Sequence, residues 1–275
     1  MNPRATKTEF LCPDSWLDRQ IDVTLVGAGG TGGEVFDGLV RLHLALIGLG
    51  HPGGLNVTVY DPDSVSHANI GRQRFAFVDC GQNKALTLVQ RYNLAFGLDW
   101  SAIPARFSPR HMSRSRGDLL ITCVDLATVR SRIGRHYRGY SDAPYWLDFG
   151  NGQYRGQVVL GALGEECRYR PEQPLNGCRL PHVYDLFPEL DRVDDTSEPS
   201  CSLAEALTHQ DLFVNRFVAQ VGLNLLYQLI RTGAVDHHGA FIDVRRGAVD
   251  PIGIDLNNWA VLGYAPPATP TRAVG

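Results

Sequence analysis

The sequence from Val57 to Gln73, VTVYDPDSVSHANIGRQ, begins as an apolar strand and then turns densely polar. The strand ends at Asp61, a position from which a carboxylate can accept hydrogen bonds from the hydroxyls of a ribose. A planar guanidinium follows at Arg72 and a compact ammonium at Lys84, and both groups suit phosphate oxygens. Hydride transfer has no evident use for such cations, so the pattern favours chemistry on a triphosphate.

A glycine-rich turn precedes this stretch, directly after a β-rich run from Ile21 to Val26. Gly27, Gly29 and Gly32 have the GxGxxG spacing, with Gly30 between them. Such glycines permit a tight turn and bring backbone N–H groups at a helix N-terminus close to phosphate. The turn predicts nucleotide binding, without deciding between NAD and ATP, and a glycine turn with no ligand is the alternative.

Asp125 ends a later apolar strand and is a natural ligand for Mg²⁺ in the same crevice, while Asn69 adds a neutral donor. Each residue also has a structural alternative. Asn69 could shape a turn, Arg72 could form a surface ion pair, Lys84 could be an exposed helix residue and Asp125 could cap a helix. Their joint occurrence favours an ATP·Mg²⁺ site over coincidence.

Composition excludes several classes of protein. The 275 residues carry a formal net charge of −3 with few long runs of one sign, so neither a nucleic-acid nor a membrane surface is expected. No stretch has the apolar length of a membrane span, and the N-terminus lacks the apolar core of a signal peptide. We therefore expect a cytoplasmic protein, with six scattered cysteines that are reduced thiols.

Strands and helices alternate over residues 21–163, which predicts an α/β fold: a doubly wound, Rossmann-like, mainly parallel sheet. The predicted strands are Ile21–Val26, Leu55–Tyr60, Leu119–Val124, Tyr145–Phe149 and Gly156–Leu163, and the predicted helices are Val35–Leu49, Asn83–Ala95 and Ala127–Arg138. This part is expected to be the nucleotide-binding region, and residues 1–20 are a separate N-terminal segment.

The proline- and acid-rich residues 164–201 are expected to form a mobile crossing loop. Residues 202–275 are expected to pack in the same domain as a helix, a hairpin and a tail. The helix begins at a capping box of Ser202 and Glu205 and ends at Gly233, with an apolar face from Leu203 through Phe213 and Phe217 to Leu229. The hairpin strands are predicted at Ala240–Arg246 and Pro251–Leu262.

Four short motifs follow one another in the chain: DPDSV from Asp61, NIGRQ from Asn69, GQNK ending at Lys84, and CVD ending at Asp125, with Arg130 beyond them. In order and spacing they resemble the adenylation domain of the ThiF, MoeB and ubiquitin-activating enzymes. The stretches YWLDFGNGQYRGQVVLG and PSCSLAEALTHQDLFVNR resemble one branch, the ThiF family proteins of the PRTRC genetic system. The first resemblance covers about residues 20–163 and the second nearly the whole chain.

The resemblance implies an enzyme that uses ATP·Mg²⁺ to adenylate the C-terminal glycine of a small ubiquitin-like β-grasp protein. It implies that Asp61 holds the ribose, that Asn69, Arg72 and Lys84 contact the phosphates, and that Asp125 binds the metal. It also implies a homodimer and a conjugating-enzyme-like acceptor as a further partner. Asp63 and Gln73 match the family pattern of nucleotide-binding residues. From charge and spacing alone, without the resemblance, Asp63 would be interpreted as a turn former and Gln73 as a scaffold residue.

The sequence departs from the family at Leu126, where an asparagine is common, and in lacking the two CxxC pairs that hold structural zinc in many bacterial relatives. Cys167, Cys178 and His182 have the wrong spacing to replace them, so zinc is not expected.

Many relatives pass the acyl group to a cysteine, and Cys201 is the best candidate for that nucleophile. It precedes a capped helix, where free N–H groups and the helix dipole favour a thiolate. The alternative is a small buried residue at the helix entry. Cys123 is expected in the core, and Cys80, beside GQNK, is expected to be a bystander.

Two other functions use part of the same pattern. An NAD(P)-dependent oxidoreductase would use the glycine turn and Asp61 but would leave Arg72, Lys84 and Asp125 unexplained. A catalytically inactive ThiF-like module would keep the fold for binding or dimerisation.

Overall fold

A computed structural model describes residues 7–110, 117–137, 143–164, 167–170, 175, 178–192 and 210–264. In chain order its strands are β1 (Glu9–Leu11), β2 (Ile21–Val26), β3 (Leu55–Tyr60), β4 (Ser101–Ile103), β5 (Leu119–Thr122), β6 (Tyr145–Asn151), β7 (Arg155–Ala162), β8 (Tyr169–Arg170), β9 (Ala234–Val235), β10 (His237–Asp243) and β11 (Ala248–Gly253). Its α-helices are α1 (Asp14–Asp18), α2 (Gly30–Gly48), α3 (Lys84–Phe96), α4 (Ala127–His136), α5 (Val183–Leu186), α6 (Val214–Thr232) and α7 (Leu256–Val261).

An eight-stranded sheet forms the centre of the fold, in the order β11-β10-β7-β6-β5-β2-β3-β4. The five strands from β6 to β4 are parallel, and β7, β10 and β11 continue the sheet in antiparallel pairs. All four residues of β5 and five of the six in β2 are buried, because helices cover both faces of a parallel sheet. The predicted α/β fold with a mainly parallel, Rossmann-like sheet is confirmed.

A second sheet is small and antiparallel. In it β1 lies between β8 and β9, so residues near the N-terminus join residues more than 150 positions away. Within the segment 164–201, the described residues include β8, α5 and the buried side chains of Leu180, Val183 and Leu186. The mobility predicted for this segment, and the domain boundaries, stay predictions.

Helix α6 differs from its prediction at its start and in its buried face. The structure begins α6 at Val214, and residues 210–213 form a turn, so no single helix runs from residue 202 to 232. Phe213 and Phe217 are 64% and 37% exposed, whereas Val214 and Val218 are fully buried. Residues 202–209, with the predicted capping box, lie outside the described residues.

The C-terminal hairpin is present, but its second strand ends at Gly253. The stretch Pro251–Leu262, predicted as one strand, contains α7 instead. The Asp255 side chain accepts hydrogen bonds from the N–H groups of Asn257 and Asn258, which caps this helix at its N-terminus.

Glycines allow α6 to pack closely on α2 and on the sheet. A Cβ atom at Gly38 of α2 would come within 2.1 Å of Leu223, and one at Gly222 of α6 within 2.3 Å of Phe149 in β6. The N-terminal ends of α2 and α6 are thereby held side by side. In the described part of the chain, no helix combines the length and apolarity that crossing a bilayer requires.

Candidate functional site

The described site residues lie in the loops at the carboxyl ends of β2, β3 and β5, or at the starts of the helices that follow β2 and β3, and these three strands are neighbours in the sheet. The glycine turn follows β2, Asp61 follows β3, and Asp125 lies between β5 and α4. Because parallel strands end at the same edge, these loops meet in one crevice, which is where α/β sheets bind ligands.

The glycines of the turn have different roles. Gly27 has a φ of +95°, and a Cβ there would lie 2.7 Å from the carbonyl oxygen of Cys123. A Cβ at Gly32 would lie 1.9 Å from the carbonyl oxygen of Gly27. The turn therefore needs glycine at both positions to keep its backbone conformation. A Cβ at Gly29 would meet no atom within 4 Å. The space in front of Gly29, at the N-terminus of α2, is therefore open to an anion.

Asp61 ties the β3 loop to the glycine turn. Its carboxylate accepts hydrogen bonds from the N–H groups of Ala28 at 2.6 Å and Asp63 at 2.8 Å, and the residue is 5% exposed. Burial raises the pKa of this carboxyl group, while those N–H groups and the Lys84 ammonium oppose the rise. Asn83 closes the loop by donating to the carbonyl oxygens of Asp61 and Asp63 at 2.9 and 3.1 Å.

Lys84 is the first residue of α3 and is 9% exposed, so it is not a solvated helix residue. Its ammonium lies 3.4 Å from the Asp63 carboxylate, and its backbone N–H donates to the carbonyl oxygen of Asp63 at 2.9 Å. The Asn83 side chain caps α3 by accepting the Leu86 N–H at 3.1 Å, which fixes where the helix begins. The cation is thus held beside the end of β3.

Arg72 reaches the crevice from the loop after β3. Its Nη1 atom donates to the Oε1 atom of Gln210 at 3.1 Å, and its Nε atom is buried with no hydrogen-bond partner among the described residues. Burial lowers the pKa of the Arg72 guanidinium, and the nearby Asp125 carboxylate opposes this shift. Asp125 is exposed, and the residue in the N-cap position of α4 is Leu126, so Asp125 is not the cap of that helix.

The loop that carries Arg72 is anchored to α2 by its neighbour Arg74. The Arg74 guanidinium lies 2.8 Å from the carboxylate of Glu34 and 3.3 Å from that of Asp37. All three side chains are largely buried, so these ion pairs are better shielded from solvent than surface pairs. They place the loop across the first two turns of α2.

Asn69 and Gln73 are held by local contacts. The Asn69 side chain is 8% exposed and accepts the Ser66 N–H at 2.9 Å, and the Asn69 carbonyl oxygen accepts the Gln73 N–H at 3.0 Å. Gln73 lines a groove between α2 and α3 together with Asp37 and Tyr92. The described hydrogen bonds therefore connect Asn69 to its own turn, and they do not bring either side chain to Arg72 or Lys84.

A cluster of amide and hydroxyl groups at the N-terminus of α2 was missed in the sequence. Thr31 donates through its hydroxyl to the Oδ1 atom of Asn215 at 2.9 Å, and Asn151 donates to the Thr31 hydroxyl at 3.0 Å. The Nδ2 atom of Asn215 donates to Gln210 at 3.0 Å, which connects the cluster to Arg72. These residues come from α2, β6, α6 and the turn before α6, so no spacing along the chain marks them.

Arg130, which belongs to the motif pattern, supports the crevice from below. Its Nε atom lies 2.9 Å from both carboxylate oxygens of Asp148, and its Nη2 atom donates to the carbonyl oxygen of Phe149 at 2.9 Å. The Thr122 hydroxyl donates to the same carboxylate, which is fully buried. The pair joins α4 to β6, the Thr122 hydroxyl adds β5, and Arg130 is only 6% exposed.

At least four of the described cysteines are poor nucleophiles at neutral pH. Burial raises the pKa of Cys12 to about 12 and that of Cys167 to about 11, and it also raises the pKa of Cys123 and Cys178. Cys201 lies outside the described residues. Within the ranges that the structure describes, no three His, Cys, Asp or Glu side chains are grouped so that they could hold a metal ion.

A family model described as the ThiF family matches residues 17–242, which is most of the chain and all of the crevice. The chain belongs to the ThiF family. A search of curated proteins gave no match.

Three similar solved structures show the same fold. E. coli MccB with MccA-N7isoAsn is 15% identical with a TM-score of 0.55, over 85% of this chain and 64% of that one. PaaA is 16% identical with a TM-score of 0.54, over 85% and 64%. E. coli MccB with ATP is 14% identical with a TM-score of 0.53, over 88% and 65%. This ThiF family chain therefore spans slightly less than two thirds of the length of each.

Proposed function

We propose that this chain is an ATP-dependent adenylating enzyme that activates the C-terminal carboxylate of a small ubiquitin-like β-grasp protein. The proposal includes action as a homodimer, membership of the PRTRC branch, and transfer of the acyl group to Cys201 and then to a conjugating-enzyme-like acceptor. One observation supports the adenylation: a buried carboxylate, an open helix N-terminus, two cations and an exposed carboxylate follow the carboxyl ends of three neighbouring parallel strands. Family membership and the likeness to MccB, which has been solved with ATP, support it.

The groups suit the ribose and the triphosphate of ATP. Asp61 would accept hydrogen bonds from the ribose, and Lys84 would contact the phosphates. Gly29 leaves the N-terminus of α2 open to phosphate, and Arg72 has a buried Nε atom with no hydrogen-bond partner among the described residues. Asp125 suits Mg²⁺, because that ion usually takes one or two protein carboxylates and completes its shell with phosphate oxygens and water. Bound there, the ion would neutralise phosphate charge.

In the proposed reaction, a carboxylate oxygen of the partner attacks the α-phosphorus of ATP and pyrophosphate leaves. Positioning and electrostatic stabilisation dominate such a transfer, and the cations and helix N-terminus supply both without entering a covalent bond. In the second step, the Cys201 thiolate attacks the acyl carbonyl carbon and AMP leaves, which forms a thioester. The raised pKa values of Cys12, Cys123, Cys167 and Cys178 leave these thiols unsuited to that step.

Exchange of radiolabelled pyrophosphate into ATP tests the proposal. Purified protein with ATP, Mg²⁺ and candidate β-grasp proteins should incorporate label only with the correct partner. Asp125→Ala should lose the exchange. Asp250→Ala should retain it, because Asp250 is an exposed carboxylate on the outermost strand β11, four strand positions from β5.

Cys201→Ala tests the second step separately. This variant should retain the exchange but lose any adduct that a thiol reagent cleaves, and an adduct that persists would contradict the assignment of Cys201. Tight binding of NADH without exchange would favour an oxidoreductase. Binding of ATP without exchange, whichever partner is added, would identify an inactive module.

A further inference from the structure

Gln210 and Asn215 connect the N-terminus of α2 to Arg72 through a directed series of hydrogen bonds. Asn151 donates to the Thr31 hydroxyl, which donates to Oδ1 of Asn215, and Nδ2 of Asn215 then donates to Oε1 of Gln210. That same oxygen accepts the Nη1 group of Arg72 at 3.1 Å. The series thus ends on the guanidinium proposed to contact phosphate.

Each amide in the series can be oriented in only one way. The Arg72 guanidinium only donates, so Gln210 must present its oxygen, which has two lone pairs and accepts from both Arg72 and Asn215. Asn215 must then turn its NH₂ group toward Gln210, so its oxygen faces Thr31 and Asn151 and accepts from both. Asn215 is 3% exposed, so water does not compete freely for these groups.

Gln210 gives Arg72 a partner that carries no charge, unlike Asp125. The Asp125 carboxylate attracts the guanidinium, and a direct ion pair between them would occupy both the cation proposed for phosphate and the carboxylate proposed for the metal. The neutral oxygen of Gln210 offers Arg72 a hydrogen bond without neutralising its charge. In the part of the chain that the structure describes, Gln210 is the only side chain whose hydrogen bond to Arg72 is recorded.

We propose that Gln210 and Asn215 are positioning residues that hold Arg72 in place for contact with the triphosphate. This inference rests on the proposed adenylation of a carboxylate with ATP. It assigns a role to the turn before α6 and to the first turn of α6, which lie within the stretch that resembles the PRTRC branch but outside the four short motifs.

The test compares binding of ATP and of adenosine by Gln210→Met, which keeps the side-chain length but removes the acceptor. ATP should bind about tenfold more weakly and the rate of pyrophosphate exchange should fall, whereas adenosine affinity and the melting temperature should not change. Asn215→Asp should weaken ATP binding and exchange likewise, since it keeps the acceptor for Thr31 but loses the donor to Gln210, and it should also lower the melting temperature because it buries a charge. Asn224→Asp, exposed on the same helix, is the matched control and should behave as wild type.

A double-mutant cycle separates positioning from general stability. In an Arg72→Met background, Gln210→Met should cause no further loss, because the two residues act through one contact. Equal losses in both backgrounds, or wild-type ATP binding by Gln210→Met, would overturn the positioning role alone. A wild-type protein that binds no ATP would overturn the proposed function and this inference together.

Discussion

Replacing Gly29 by alanine separates phosphate binding from folding more cleanly than any other substitution in the crevice. The added methyl group would meet no protein atom within 4 Å, so no clash within the fold is expected. Gly29 is the N-cap of α2, where glycine is preferred to alanine, so we expect a loss of about 1 kcal/mol at most.

The effect on ATP should be larger, because the methyl group would stand where phosphate approaches the N–H groups of α2. Hydrogen bonds to a charged group contribute about 1.5–3 kcal/mol each. Loss of one such bond, at about 2 kcal/mol, corresponds to roughly 30-fold weaker binding of ATP. Adenosine has no phosphate, so its affinity should stay the same.

Calorimetric titration with ATP and adenosine, together with thermal melting, measures both effects. Gly48→Ala is the matched control, because Gly48 lies in the same helix and a Cβ there also meets no atom within 4 Å. That control should bind ATP normally and gain up to about 1 kcal/mol in stability. If Gly29→Ala melts and binds ATP as the wild type does, phosphate does not approach this glycine and the reasoning is wrong.

Three further predictions concern the floor of the crevice, the ribose side and the pH dependence of folding. Arg130→Met should lower the free energy of unfolding in urea by about 3–5 kcal/mol, because it leaves the fully buried Asp148 carboxylate without its partner. The control Arg132→Met changes an exposed residue of the same helix and should cost less than about 0.5 kcal/mol. Asp61→Asn should weaken ATP and adenosine about equally, in contrast to Gly29→Ala, and unchanged adenosine binding would contradict the ribose assignment. Burial lowers the pKa of His238 from 6.5 to about 4, so the unfolded chain binds the proton more readily than the folded one. The stability that the neutral ring contributes is therefore complete above pH 6.5 and is lost as the pH falls toward 4. Relative to His238→Gln, the wild-type protein should lose about 2 kcal/mol of unfolding free energy at pH 5. The same pH dependence of unfolding free energy in the two proteins would contradict this prediction.

Much of the sheet and the glycine turn could be predicted from the sequence, because both depend on local features. The bounds of β2 and β3 were predicted to the residue, since β2 is a mainly apolar run buried on both faces and β3 alternates apolar buried residues with partly exposed ones. The C-terminal helix α7 was missed, because the apolar residues of a short amphipathic helix resemble those of a strand and only the Asp255 cap distinguishes them.

The sequence by itself determined which groups can meet at the carboxyl ends of β2, β3 and β5, since strand order and motif order place them at one edge. Only the tertiary structure decided which contacts each polar side chain makes. The Asn69 oxygen accepts the Ser66 N–H at 2.9 Å, which joins that oxygen to the turn, while donation from the Asn69 amide to a phosphate stays a prediction. Gln210 and Asn215 lie more than 130 residues from Arg72, and they reach it because α6 packs closely on α2. Hydrogen bonds act over about 3 Å, so such contacts depend on the packing of distant segments and leave no periodic pattern in the sequence.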